Sequence, residues 1–462
     1  METRKKRLVA LIDADGCIYN GMYLYLVYYL IAQHGVAIST WATEVESSED
    51  EDNKKSAEVG LIKIAKELDD LIEYFPEDNV AKAIHVHSSN NQTNEEAMQA
   101  EILLLIRDIF QSRDIHLSLE KLTENDFKSN LQLAVEDLHI NLQRLGDPGQ
   151  HVLKTLLFVG NKPFFNEIVA RMEKEEFDCL DLFSASSRQS KSLDDSNSIE
   201  NDTGSFFIDL GLIHENFKEF LPDKECTLHD IVLADIYGDC EIGESWKRIL
   251  KERKKNEAEM YGKNCSDSET DNNAEIIHAE YIFDDTKFSL LYGLLHYIRS
   301  KFQNDKIVAA YFDDRADIHS VLATIFMQDP DLILSSDMIL EFIPYAGYFP
   351  AKYLTRTNQL DFLEKGSVLV IKGEGNNNDF NFRENVKKIA MMCGHDLKNY
   401  DKGINAAYEL DINLFKQERV LYKASMSSVF AGMVSFYAPA SAIKPQAKSQ
   451  IDEEKITKGL RK

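Results

Sequence analysis

The chain is short of positive charge. Its 462 residues hold 52 lysines and arginines against 78 aspartates and glutamates, a formal charge of −26. Such a chain repels phosphate backbones, which argues against bulk nucleic-acid binding and against an anionic membrane surface as partner. Much of the excess lies in local runs that a solvated surface explains as well. Cysteine is scarce: Cys17, Cys179, Cys226, Cys240, Cys265 and Cys393 form no CxxC pair and no zinc-like spacing. They read as reduced thiols of a protein working in a reducing compartment, the cytoplasm. There is no glycine-rich phosphate loop of Walker or dinucleotide type and no internal repeat. Long uninterrupted apolar runs are missing too. Glu2 to Arg7 is charged, but the apolar stretch after it contains Asp13 and Asp15, so no signal peptide is read there. The most apolar helix candidate, Gly21 to Ala32, is too short to span a bilayer and fits a core helix. Ser425 to Ile443 is rich in Ala, Ser, Val and Phe, but its Gly and Pro content argues against a span.

What the chain does have is 44% hydrophobic residues, ample for a packed core. Its length suggests about two or three domains. Short apolar runs alternate with amphipathic helical patterns, which predicts an α/β fold. The first run, Leu8 to Ile12, ends in Asp13, Ala14, Asp15 and Gly16. Two carboxylates therefore sit at the C-terminal end of a strand, where open α/β sheets gather their chemistry. Gly16 lets the chain turn sharply away. One acid can attack while the other moves a proton. A calcium loop or a plain turn would also use Asp-x-Asp-Gly, but calcium needs more oxygen ligands. Cys17, Ile18 and Tyr19 suit a core better.

A second run, Ile307 to Phe312, ends in Asp313 and Asp314. Adjacent acids after a buried strand are costly unless a cation or donors neutralise them. A magnesium ion held by carboxylates, backbone oxygen and water would do so. Arg315 and Asp317 read as an ion pair or cap where the following helix begins. Upstream, Lys287 opens the helical pattern Ser289 to Lys301, with Leu290, Leu291, Leu294, Leu295 and Ile298 at helical spacing. Ala83 to His87 reads as a further strand leading into Ser88, Ser89, Asn90 and Asn91. A hydroxyl there, with nearby backbone donors, can hold a phosphoryl oxygen. His85 and His87 share one face of that strand but have no third metal ligand in view.

In this order the four motifs resemble the signatures of the haloacid-dehalogenase-like (HAD) hydrolases, whose phosphatases begin D-x-D-G. Cys17 stands where the family has Thr or Val. The resemblance implies a Rossmann-like parallel sheet and a magnesium-dependent phosphatase. It implies that Asp13 attacks phosphorus and that Asp15 protonates the leaving oxygen, then activates water. Ser89, favoured because Asn follows it, or Ser88 would bind a phosphoryl oxygen, and Lys287 would offset negative charge. Asp13, the Asp15 carbonyl, Asp313 and Asp314 would hold Mg2+.

The expected organisation is a catalytic core of 1–92 and 223–350. A mainly helical insert, 93–222, would cover it, with a disordered loop at 184–204. Residues 351–462 would form a C-terminal extension, largely helical (Phe382 to Leu397, Ile404 to Tyr422), with no assigned role. Thr155 to Val159 reads as a strand or a buried helical turn, Asp230 to Tyr237 as the core strand before Lys287, and Gly238 to Glu280 as further cover. Glu44 to Asp52 and Gly373 to Asn381 read as exposed loops, and Lys263 to Asn273 as a solvated linker. The helix Ile318 to Met327 and the strand Ile339 to Pro344 should finish the core sheet. The substrate would be a phosphorylated small molecule or phosphoprotein, the irregular inserts favouring phosphotyrosine-like aryl phosphates. Two alternatives stand: a phosphotransferase of the same fold, and a catalytically silent interaction protein. The inserts and extension leave room for a protein partner. That organisation resembles bacterial effector proteins delivered into host cells without a signal peptide.

Overall fold

A computed structural model of the chain describes residues 4–47, 50–71, 137–189, 193–195, 198, 203–237, 241–251, 284, 286–328, 330, 334–349, 355–373 and 382–393. At its centre is a seven-stranded sheet. In chain order the strands are β1 (Lys6–Ile12), β2 (Cys179–Ser184), β3 (Glu225–His229), β4 (Lys306–Asp313), β5 (Met338–Pro344), β6 (Arg356–Thr357) and β7 (Val368–Lys372). Their spatial order is β3-β2-β1-β4-β5-β7-β6. The pairs from β3 through β5 are parallel, and only β5 and β7 run antiparallel.

Both hydrogen-bonding edges of β1 are taken, by β2 on one side and β4 on the other. Chain order reverses across β1, which makes its C-terminal end a topological switch point, where open α/β sheets form a crevice. The register is level there: Ile12 is opposite both Ser184 and Phe312. Successive β1 residues point to opposite faces. Leu8, Ala10 and Ile12 join one apolar core, and Val9 and Leu11 the other. The first core is closed by helices Gly21–Ser47, Glu51–Leu71, Asp147–Gly160, Lys162–Lys174 and Phe206–Phe220. Leu233–Tyr237, Phe288–Lys301, Ala316–Gln328 and Phe382–Cys393 close the second. The result is a three-layer α/β/α sandwich.

Several expectations are corrected. Residues 93–222 are not only a helical insert, because they carry β2, which lies beside β1. Asp181 interrupts its apolar run, yet is buried by partners from other elements: Arg7 Nη1 at 3.0 Å and His229 Nε2 at 2.7 Å. The core strand expected at Asp230 to Tyr237 is instead Glu225–His229, with a short helix, Leu233–Tyr237, after it. β3 lies at the sheet edge, and most of it is only part-buried, so its polar residues are tolerated. Thr155 to Val159 is helical, within Asp147–Gly160. The acidic run at 44–52 divides between the end of one helix and the start of the next. Glu51 and Asp52 open the second helix, where its dipole favours negative charge. The stretch after 351 adds β6 and β7 to the sheet, and its helix Phe382–Cys393 packs in the second core. Helix Ala316–Gln328 and β5 lie where the sequence predicts them. The candidate strand 83–87, Ser88, Ser89, 263–273, Ile404 to Tyr422 and Ser425 to Ile443 lie outside the described residues.

Among the described residues, no single helix is long and apolar enough to cross a membrane. The pair Gly21–Ile31 and Gln33–Ser47 passes such a test by length and composition only. Much of its apolar surface (Tyr23, Leu26, Val27, Leu30, Ile38, Ala42) is buried in the first core.

Candidate active site

β1 and β4 read as continuous apolar runs because parallel strands covered on both faces need them. Each ends in an acid at the switch point. The Asp13 amide donates to the Phe312 carbonyl (3.1 Å), locking the two strand ends together. The chain then turns tightly, with the Tyr19 amide donating to the Ala14 carbonyl at 2.9 Å. Gly16 is required twice over in this turn. Its φ is +73°, and a Cβ there would fall 2.2 Å from Asp314 Oδ2.

Asp313 is fully buried and heavily bonded. Oδ2 accepts from Tyr311 Oη (2.5 Å) and Lys287 Nζ (2.7 Å), and Oδ1 accepts from the Arg315 amide (2.9 Å). Its carbonyl accepts from the Tyr345 amide (3.0 Å) and lies 2.9 Å from His319 Nε2. Lys287 Nζ also reaches Asp13 Oδ1 at 2.8 Å, so one ammonium bridges the two strand-end acids. Lys287 caps helix Phe288–Lys301 in the left-handed region, at φ +56°. A non-glycine residue is held there only when its surroundings over-determine it. Asp284 supplies that constraint: Oδ1 accepts from the Thr286 amide (3.0 Å) and hydroxyl (2.5 Å), and Oδ2 from the Ser289 amide (2.8 Å). Arg315 pairs with Asp317 at 2.6 Å on the surface, as expected for the start of the helix.

Asp13, Asp313 and Asp314 offer carboxylate oxygens that all lie within 4.8 Å of one another. Lys287 is the cation bonded to two of them. Asp314 Oδ1 is buried with no hydrogen-bond partner among the described residues. Burial pushes the Asp13 carboxyl up to about 7, with the charges of Asp313 and Asp15 adding to it and Lys287 opposing. Burial, then Asp313 and Asp13, push Asp314 well above the usual carboxylate range. Burial acts the same way on Asp313, but Lys287, His319 and Tyr311 outweigh it and hold that carboxyl low. Lys287 is raised despite burial, because Asp13 and Asp313 flank it. The donors are hard oxygens, and when ionised they carry more negative charge than the lysine balances. That set suits a small divalent cation such as Mg2+, and Asp314 Oδ1 is an oxygen without a partner among the described residues.

Asp15 lies one turn out, with its side chain 32% exposed. Sequence reading missed its partner. Arg188 forks it, Nε donating to Oδ2 at 3.0 Å and Nη2 to Oδ1. The hydroxyl expected at Ser88 or Ser89 lies outside the described residues. The strand beside β1 ends in Ser184, and Ser186 follows; both are 0% exposed. The Ala185 amide donates to the Ile12 carbonyl (2.8 Å), which brings this turn against β1. Gln189 pins it, Nε2 donating to the Ser186 carbonyl (2.6 Å) and Oε1 accepting from the Leu233 amide (2.8 Å). The expected disorder at 184–204 is corrected for its described residues, since Ser184, Ser186, Arg188, Gln189 and Asp194 are fully buried. The available signal for β2 was the run Leu180 to Phe183, obscured by Asp181.

The structure thus brings together Asp13, Asp313, Asp314 and Lys287, with Asp15 beside them. No known protein family, curated protein or solved structure matches the chain.

Proposed function

We propose that the chain is a magnesium-dependent phosphomonoester hydrolase of the HAD type, working through an aspartyl-phosphate on Asp13. One observation carries the reading. Three acids and a lysine from distant parts of the chain converge at the switch point of a parallel sheet, one carboxylate oxygen having no partner among the described residues. The parallel sheet from β3 through β5, with the acidic pair on the strand next to the Asp-x-Asp strand, is compatible with the Rossmann-like sheet the motif resemblance implies and supports it.

In this reading an Asp13 oxygen attacks phosphorus, and the bond from phosphorus to the leaving oxygen breaks. Asp15 gives that oxygen its proton. Water then attacks the phosphoryl group, Asp15 takes a proton from it, and inorganic phosphate leaves with Asp13 restored. Lys287, bonded to the Asp13 carboxylate, keeps its other oxygen available and offsets charge as the phosphoryl group arrives. Ser184 and Ser186, at the end of the strand beside β1, are the candidates among the described residues for the role assigned to Ser88 and Ser89. Asp13, Asp313, Asp314 and the Asp15 carbonyl would hold Mg2+, which supplies charge neutralisation and Lewis acidity at the phosphoryl oxygens. The favoured substrate class is aryl phosphates of the phosphotyrosine kind.

The test is hydrolysis of an aryl phosphate by purified protein, with and without Mg2+, and by Asp13→Asn. The reading expects turnover that chelation stops and that the asparagine variant lacks while staying folded. Full activity of Asp13→Asn, in a preparation shown free of deamidation, overturns it. Phosphate release that depends on an added alcohol would mark a phosphotransferase instead.

A further inference from the structure

Arg188 is fully buried, and every part of its guanidinium is engaged. Nε and Nη2 fork Asp15. Nη2 also donates to Thr203 Oγ1 at 2.8 Å. Nη1 faces Ser198 Oγ (3.0 Å), the Gly204 carbonyl (3.1 Å) and Asp194 Oδ1 (3.4 Å). Its Cζ lies over the Tyr19 ring, 5.0 Å from the centroid. The surrounding groups are themselves fixed. Asp194 accepts from the Ser205 hydroxyl (2.6 Å) and the Phe206 amide (3.0 Å), and Tyr19 donates to Asp209 Oδ2 (2.6 Å). Arg188 follows the end of β2, so a rigid strand carries the guanidinium to the turn after β1.

A buried arginine this fully saturated is more than an ion pair. It is a planar fork held still on its inner side, presenting two parallel donors to one carboxylate. Arg188 has no exposed surface, while the Asp15 side chain stays 32% exposed. We propose that Arg188 is the positioning residue for Asp15, fixing the plane and reach of that carboxylate for proton transfer to and from the reacting oxygens. The proposal rests on the phosphatase reading above. It assigns Arg188 no contact with substrate.

The consequence is selective in the first half-reaction, which kcat/KM reports; the second, in which Asp15 activates water, is common to all substrates. Cleaving an alkyl phosphate needs a proton delivered to a poor leaving group. A nitrophenyl phosphate has a leaving group that departs without one. A merely structural arginine would affect both substrates alike.

The experiment measures kcat and KM for an alkyl phosphate and for nitrophenyl phosphate in four proteins: wild type, Arg188→Met, Asp15→Asn and the double variant. Arg188→Met should lower kcat/KM for the alkyl phosphate about 100-fold. Its effect on nitrophenyl phosphate should be under about tenfold. The double variant should be no slower than Asp15→Asn alone. Arg188→Lys keeps the charge but loses the fork, and should fall between; it replaces the methionine variant if that one does not fold. A crystal structure of the folded variant should show the Asp15 carboxylate displaced while Lys287 still touches Asp13 and Asp313. Equal losses of kcat/KM on both substrates, additive losses in the double variant, or an unmoved Asp15 each overturn the proposal. In those cases an active wild type leaves the phosphatase reading standing. A wild type that hydrolyses neither phosphate overturns both.

Discussion

Lys287 offers the sharpest quantitative prediction. Its ammonium is 5% exposed and sits 2.8 Å from Asp13 and 2.7 Å from Asp313. At an effective dielectric near 20, each contact is worth roughly 6 kcal/mol of gross attraction. Desolvation of the three groups offsets most of this. Removing the lysine leaves two buried acids without their counter-charge, and such losses cost about 3–5 kcal/mol. Lys287→Met should therefore lower the unfolding free energy by about that amount, read by urea denaturation in the presence of a chelator. Adding Asp313→Asn to the same chain removes one of the stranded charges and should recover about 1–2 kcal/mol. Saturating Mg2+, at about a hundredfold over its Kd, should restore roughly 2.7 kcal/mol of stability to the single variant. A loss below about 1 kcal/mol would mean that the lysine is not enclosed between the two acids.

Gly16→Ala forces a side chain into a positive-φ turn and against Asp314; it should cost about 1–2 kcal/mol and weaken Mg2+ binding at least about tenfold by calorimetry, and unchanged affinity would separate Gly16 from the cation site. Ser184→Ala and Ser186→Ala should differ. The hydroxyl that holds the phosphoryl group should lose about 100-fold in kcat, and two fully active variants would remove both serines from the site. Asp181→Ala strands His229 and half of the pairing of Arg7, which keeps Asp305 at 2.6 Å. It should cost about 3 kcal/mol in urea denaturation, and a neutral result would contradict the buried ion network across β1, β2 and β3.

The legible parts of the fold share one property: their sequence signal is local. β1 and β4 are buried on both faces, so each reads as an apolar run ending in acids, and the helix after Lys287 shows its own spacing. β2 was hidden because the neutralisation of Asp181 comes from Arg7 and His229, on other strands. β3 was hidden because an edge strand needs less apolar surface. Arg188 was hidden for a related reason. Ser, Asp and Thr near it look like a solvated linker by composition, yet Asp194, Ser198 and Thr203 are its hydrogen-bond partners. Buried polar networks and solvated loops use the same residue types, and only the fold tells them apart. The acids of the site could be found in sequence because each closes an apolar run; the residues that hold Asp15 could not.

The most direct measurement is chemical trapping of the protein during incubation with a phosphate ester. Borohydride reduces an acyl phosphate to the alcohol, and peptide mass spectrometry then locates the modified residue. The account predicts reduction at Asp13, dependent on Mg2+ and on a phosphate ester. Turnover with Asp13 unmodified, or with the label on another residue, would contradict it.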